Sequence, residues 1–160
     1  MHSIFQKVCA LFPDAVVGEA RGELSIVIQR EKVVPVCRFL YDDPTLDFDH
    51  ITDVTAVDFP NEAPRFEVVY HFYSIEKRHR VRLKARVPEE DCHIDSICSI
   101  WRGANFLERE VYDMMGIVFN NHPDLRRILM TETYDEGFPL RKDFPVEGKG
   151  WRDTFDFMGT

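Results

Sequence analysis

Between His79 and Val87 the chain alternates residue by residue: Val81, Leu83, Ala85 and Val87 are apolar, whereas Arg80, Arg82, Lys84 and Arg86 are charged. Successive side chains of a strand point to opposite faces, so this stretch is a strand with four cations on one side and an apolar row on the other. A sheet built around it has one face to bury and one face in water, and other elements must cover the first. Two preceding stretches supply partners, about Asp49 to Phe59 and Arg65 to Ile75, separated by the turn Pro60-Asn61-Glu62-Ala63-Pro64. The three read as an antiparallel meander. Its cationic face is a solvated surface or meets an acidic neighbour.

The cover comes from helical periodicity. Ile4, Phe5, Val8, Cys9, Leu11 and Phe12 recur at helical spacing, with Ser3 as cap and Pro13 as stop. Ala15 to Ala20 and Leu24 to Gln29 follow as a hairpin through Arg21-Gly22. Val33 to Tyr41 reads as a second helix with Pro35 in its first turn and Val36, Cys37, Phe39 and Leu40 on one face, ended by Asp42-Asp43-Pro44. Beyond Pro88, Ile94 to Trp101 and Ala104 to Met115 read as helical stretches broken near Gly103. The expected fold is α+β: a two-layer domain over residues 1–118, in the order α-β-β-α-β-β-β-α with a mixed or antiparallel sheet. At 160 residues and 44% apolar, the chain fills one such core and not two.

Residues 119–160 differ in kind. Pro123, Gly137, Pro139, Pro145, Gly148 and Gly150 exclude a long helix or an interior strand, yet Phe138, Leu140, Phe144, Trp151, Phe155 and Phe157 keep recurring. Disordered tails are poor in aromatic residues. An extended arm is expected, lying either on a partner or back on its own domain. The partner is favoured, because the preceding residues already supply a core and aromatic and arginine side chains carry much of the energy of interfaces.

Several functions are disfavoured. Cys9, Cys37, Cys92 and Cys98 form no Cys-x-x-Cys pair, which argues against a zinc ribbon or an iron–sulfur ladder and for reduced, buried thiols. His50, His71, His79 and His93 are scattered without metal-binding spacing. A net charge of −8 opposes nonspecific binding to nucleic acid or anionic lipid. With no basic run ahead of an apolar stretch in Met1 to Asp14, and no run of about eighteen apolar residues, a soluble, cytosolic protein is expected.

Glu108-Arg109-Glu110, Asp113-Met114-Met115, then His122, Arg126, Ile128 and Leu129 form a run of charges at fixed spacing. It continues through Gly137, Pro139, Leu140, Arg141, Lys142, Asp143, Phe144 and Pro145, and upstream through Thr52 to Asp58 and Arg65 to His71. This pattern resembles the thirty-kilodalton subunit of respiratory NADH:quinone oxidoreductase, complex I, over nearly the whole chain. Phe138 departs from it where many relatives are expected to carry histidine, and the first fifty residues match in pattern only. The resemblance implies a mixed α/β domain with a carboxyl-terminal arm: a non-catalytic structural subunit of the peripheral arm. It implies no cofactor in this subunit, with flavin, iron–sulfur clusters and quinone held by partner subunits. The implied partners are the large quinone-site subunit and the iron–sulfur subunits. The assembly passes electrons from NADH to a quinone such as ubiquinone and translocates protons. The chain would be peripheral, on the cytoplasmic side of the inner membrane, and membrane-associated only through the complex. Related subunits occur in membrane-bound hydrogenases and in enzymes using other donors, which is the alternative machine.

On this reading Glu108, Arg109, Glu110, Asp113, His122, Arg126, Arg127, Phe138, Leu140, Arg141, Lys142, Asp143, Phe144 and Trp151 are candidate subunit-interface residues. On a helix Arg109 and Asp113 are four apart and Glu110 and Asp113 three apart, so an ion-pair cluster along one face is expected. Arg126, Arg127 and Arg141 suit bidentate contacts with carboxylates across an interface. His122, before Pro123, reads as a hydrogen-bonded turn residue, with a ligand or proton relay as alternatives. Two other classes remain open here. One is an independent enzyme using His122, Glu110 and Asp113, with a metal. The other is nucleic-acid binding by the cationic strand.

Overall fold

The computed structural model describes residues 2–20 and 22–145. The chain forms α1 (His2–Leu11), the hairpin β1 (Val16–Ala20) and β2 (Glu23–Ile28), and α2 (Val33–Asp42). The meander β3 (His50–Asp58), β4 (Phe66–Ser74) and β5 (His79–Val87) follows, then β6 (His93–Asp95), α3 (Ala104–Met115) and β7 (Val118–Asn120). Five strands make a mixed sheet in the order β1-β2-β5-β4-β3, and β6 and β7 make a small parallel pair. The α+β class, the hairpin, the meander and the long helix are therefore as the periodicities predict.

One row of side chains shows how the core is organised. Ile26 lies opposite Leu83 in the parallel pairing of β2 and β5, Leu83 opposite Tyr70, and Tyr70 opposite Val54. All four are buried, and they join one apolar cluster with Ile4 and Val8 of α1, Val36, Cys37 and Leu40 of α2, and Val111, Met114 and Met115 of α3. The helices thus pack on the apolar face that the β5 alternation requires. Each fully buried aliphatic side chain there stabilises the fold by about 1.5–3 kcal/mol.

Two expectations need correction. Ile94 to Trp101 is not a helix: Ile94 belongs to β6, and a single turn survives where Ile100 and Trp101 donate to the Ile97 carbonyl. Tertiary bonds claim the backbone instead, with Ser96 N–H donating to the Asn120 carbonyl and Ile97 N–H to Glu108. Cys9 is exposed and not buried, and only Cys37 of the four free thiols is fully enclosed. Residues 121–145 run back over their own domain, where Leu140 N–H donates to the Met114 carbonyl and Lys142 N–H to Asp58. The 118/119 boundary falls inside β7, whose Phe119 is part of the core. Trp151, Phe155 and Phe157 lie outside the described residues. No helix among the described residues is long and apolar enough to cross a membrane.

Candidate functional site

Three clusters of charged and polar side chains lie where the strap of residues 121–145 meets the domain. In the first, Glu108 of α3 is wholly buried and accepts the Ser96 hydroxyl at 2.6 Å and the Ile97 N–H at 2.8 Å, with the Cys98 thiol at 3.3 Å. Burial pushes the Glu108 carboxyl up despite these donors, and pushes the Cys98 thiol up to about 12. His122 begins the strap with its side chain enclosed beside Glu108. Its Nδ1 accepts the Asp124 N–H at 3.0 Å, so Nε2 carries the proton and donates to the Asn105 carbonyl at 3.1 Å. Cys98, Glu108 and His122 place potential ligand atoms within 4.8 Å of one another. The hydrogen bonds turn an N–H, not a lone pair, towards that space, and the thiol is held protonated, so the cluster does not offer a metal a ready donor set. His122 is the bonded turn residue that its place before Pro123 predicts.

The second cluster centres on Asp113, also wholly buried. Its Oδ2 accepts the consecutive N–H groups of Ile128, Leu129 and Met130 at 3.0, 2.7 and 2.9 Å, and its Oδ1 accepts Arg127 Nη1 at 2.7 Å. Burial alone would raise this carboxyl; the three amides and Arg127 outweigh it and hold Asp113 below the usual carboxylate range. One helical turn earlier, Arg109 donates through Nε to the Arg126 carbonyl and through Nη2 to the Arg127 carbonyl, both at 3.1 Å. The ion pair expected between Arg109 and Asp113 is therefore absent among the described residues, since both side chains are spent on the strap. Glu110 is exposed and takes no part in the cluster.

Arg65 organises the third. It grips Asp58 through Nε and Nη2 at 2.8 Å each, and it reaches Glu89 at 2.7 Å and Asp143 at 2.9 Å. Its guanidinium holds Asp58 and Asp143 below their ordinary values. Arg141 donates to the Met115 carbonyl at 2.7 Å and stacks on the rings of Phe66 and Phe138 at 4.8 and 4.6 Å. Phe138 sits against Gly116, the left-handed residue that ends α3 at φ 76°, and Phe144 is half-buried with its N–H on the Arg141 carbonyl.

While these polar groups turn inwards, several large apolar side chains are left exposed. Phe106 of α3 is 63% exposed, Leu129 59%, Leu140 52% and Ile128 37%, and these are four of the nine exposed large hydrophobics among the described residues. Arg126 and Lys142 are exposed as well. Of the predicted site residues, Glu110, Arg126, Leu140, Lys142 and Asp143 are exposed, Asp143 while paired with Arg65; Glu108 is bonded to Ser96 and Ile97 outside the strap, and the other described ones lie at its junction with the domain.

Phe106, Ile128, Leu129, Ser96, Gly116, Asp58 and Arg65 were not among the candidates. Asp58 and Arg65 flank the turn at 60–64, so the predicted hairpin already brought them together. The signal that would have found Phe106 is its place one helical turn before Glu110, on the polar side of an amphipathic helix. The cationic face of β5 is largely neutralised: Arg82 pairs with Glu23, Lys84 with Glu67, and Arg86 with Glu62 and Glu67. Little free positive charge remains there for a nucleic-acid backbone.

Residues 26–150 match the sequence profile of a family described as "Respiratory-chain NADH dehydrogenase, 30 Kd subunit". The corresponding NADH-quinone oxidoreductase subunit of Geobacter sulfurreducens is 56% identical over 133 residues, 82% of this chain and 80% of the relative. That of Roseiflexus sp. (strain RS-1) is 44% identical over 156 residues, 96% of this chain and 89% of the relative. Among solved structures, a trypsin-resistant fragment (1-134) of Nqo5 superposes with a TM-score of 0.70 at 30% identity, covering 78% of this chain and 98% of the fragment. A chain of an archaeal membrane-bound sulfane sulfur reductase superposes with a TM-score of 0.71 at 23% identity, covering 91% and 85%, a likeness of fold.

Proposed function

Because this chain belongs to the family of the 30-kilodalton subunit of the respiratory-chain NADH dehydrogenase, we propose that it is a non-catalytic docking subunit, whose exposed apolar side chains seat the quinone-site subunit and the cluster-bearing neighbours. Flavin, iron–sulfur clusters and quinone are then held by those partners, and electrons pass from NADH to quinone without entering this chain. It reaches the membrane only through the complex, as a peripheral subunit on the cytoplasmic side. The names of its relatives favour this machine over a hydrogenase or another donor.

The observation that carries the reading is the exposure of four large apolar side chains, Phe106, Ile128, Leu129 and Leu140, on a backbone that Asp113, Arg109 and Arg65 pin in place. A strap already ordered before docking spares the complex the entropy of ordering it, which strengthens binding without adding a contact. Glu110, Arg126, Leu140 and Lys142 then touch the partner. Glu108, Arg109, Asp113, His122, Arg127, Phe138, Arg141, Asp143 and Phe144 act through the strap's shape.

The test is a chain carrying Phe106→Glu and Leu129→Glu. The isolated variant should melt within a few degrees of the parent, since surface changes usually stay within about 0.5 kcal/mol, yet it should no longer co-purify with the complex from native membranes. Assembly at the parent's yield would defeat the reading. Arg141→Glu discriminates less well, because it also removes the bond to Met115 and the stack on Phe66.

A further inference from the structure

The sheet face turned away from the helices holds a cleft of about 370 Å³ beside Thr52, the residue at which the register of β3 and β4 slips. Bulges of this kind re-aim side chains next to binding sites. Six side chains able to donate hydrogen bonds line the cleft, His50 and Thr52 from β3, His71 and Tyr73 from β4, and Arg80 and Arg82 from β5. Pairing brings them together: His50 lies opposite Tyr73 and Tyr73 opposite Arg80, while His71 lies opposite Arg82.

The charge balance is uneven. Glu23 is the one carboxylate in the lining, and it is spent on Arg82 at 2.6 Å; Asp53 lies just outside the lining, opposite His71. Arg80 is exposed, lies over the face of Tyr73 at 5.8 Å, and has no ion pair among the described residues, unlike the other three cations of β5. Partial burial and the nearby Arg82 outweigh the opposing pull of Asp53 and Glu23 and hold the His71 imidazole below its ordinary value, so at neutral pH it keeps one N–H to donate and adds no charge. Donors in excess over acceptors, around one uncompensated guanidinium, select an oxyanion. The volume exceeds what a bare oxyanion fills and falls in the range of small-molecule sites.

We propose that this cleft binds a small phosphomonoester, its phosphate taken by Arg80 and the neighbouring donors and its organic part lying along the Tyr73 ring. The site is on the opposite sheet face from the strap and does not rest on the docking reading.

The experiment is a titration of the full chain, at constant ionic strength, followed through the imidazole NMR signals of His50 and His71. The probes are glycerol 3-phosphate, inorganic phosphate and glycerol. Glycerol 3-phosphate should give saturable shifts, inorganic phosphate should bind several-fold more weakly, and glycerol should do nothing. Arg80→Gln should weaken the ester by about tenfold or more, as loss of a charge-assisted contact does. Arg86→Gln, on the same strand and face but outside the cleft, should leave binding within about twofold, because a distant exposed charge is screened. Shifts that do not saturate, equal weakening by the two substitutions, or inorganic phosphate binding as tightly as the ester would each overturn the proposal.

Discussion

Glu108 and Asp113 lie on the same helix, both without exposed surface, and burial presses both carboxyls towards the protonated form. Asp113 resists because three amides and Arg127 converge on it; Glu108 yields because its donors are too few and too weak. The signs of their pH dependence are therefore opposite. Asp113 titrates lower folded than unfolded, so its contribution is present above the unfolded value of about 3.9 and is lost as pH falls through the folded one. Glu108 titrates higher when folded, so its contribution is complete below about 4.3 and is lost as pH rises through the folded value. In urea denaturation, Asp113→Asn should cost about 3–5 kcal/mol at pH 7, since it strands Arg127 beneath the strap. Glu108→Gln keeps an acceptor for Ile97 and removes the buried charge, so it should be neutral or stabilising by up to about 1 kcal/mol, with its advantage growing from pH 5 to pH 8. Equal losses in the two variants would mean that the carboxylates are not held as described.

At the scale of elements, the junction between α3 and the strap turns on Gly116. A Cβ there would clash with the Phe138 ring, and the left-handed backbone alone costs a non-glycine residue about 1–2 kcal/mol. Gly116→Ala should lift Phe138 away and speed hydrogen exchange at the Leu140 amide, whose acceptor is Met114. Adding Phe138→Ala should cost less in the Gly116→Ala chain than in the parent, because the clash is already gone; strict additivity would show the two do not touch. None of this was readable in advance, since a glycine after a helix signals a cap and says nothing of what lies against it. The five strands of the main sheet were legible, β5 most clearly because period-two alternation survives any tertiary context that buries one face, whereas the short pair β6 and β7 was not. α3 was legible between Gly103 and Gly116. Ile94, Ile97, Cys98 and Trp101 misled because i, i+3, i+4 and i+7 spacing marks burial on one side, and a strand end followed by a turn bent round Glu108 buries the same residues. The charged signature was visible as a pattern, but sequence does not say whether an arginine donates across an interface or to a carbonyl of its own chain, as Arg109 does.

For the whole molecule, the strap decides whether residues 1–118 form a complete domain. Without residues 121–145, Asp113 loses three amide donors and Arg127, Asp58 loses the Lys142 amide, and Met114 and Met115 lose part of their cover. Each hydrogen bond lost to a charged group costs about 1.5–3 kcal/mol, against a total stability of about 5–15 kcal/mol for a domain. A chain ending at Asn120 should therefore unfold broadly or not fold at 25 °C, whereas one ending at Pro145 should keep a single sharp transition within a few degrees of the full chain. Calorimetry on the two truncations measures this directly. A cooperative transition in the shorter chain near that of the longer would make the strap an accessory laid on a finished core. Its loss would instead mean that the surface offered to a partner and the burial that stabilises the domain are built by the same residues, so that changes to the fastening residues weaken assembly by first weakening the fold.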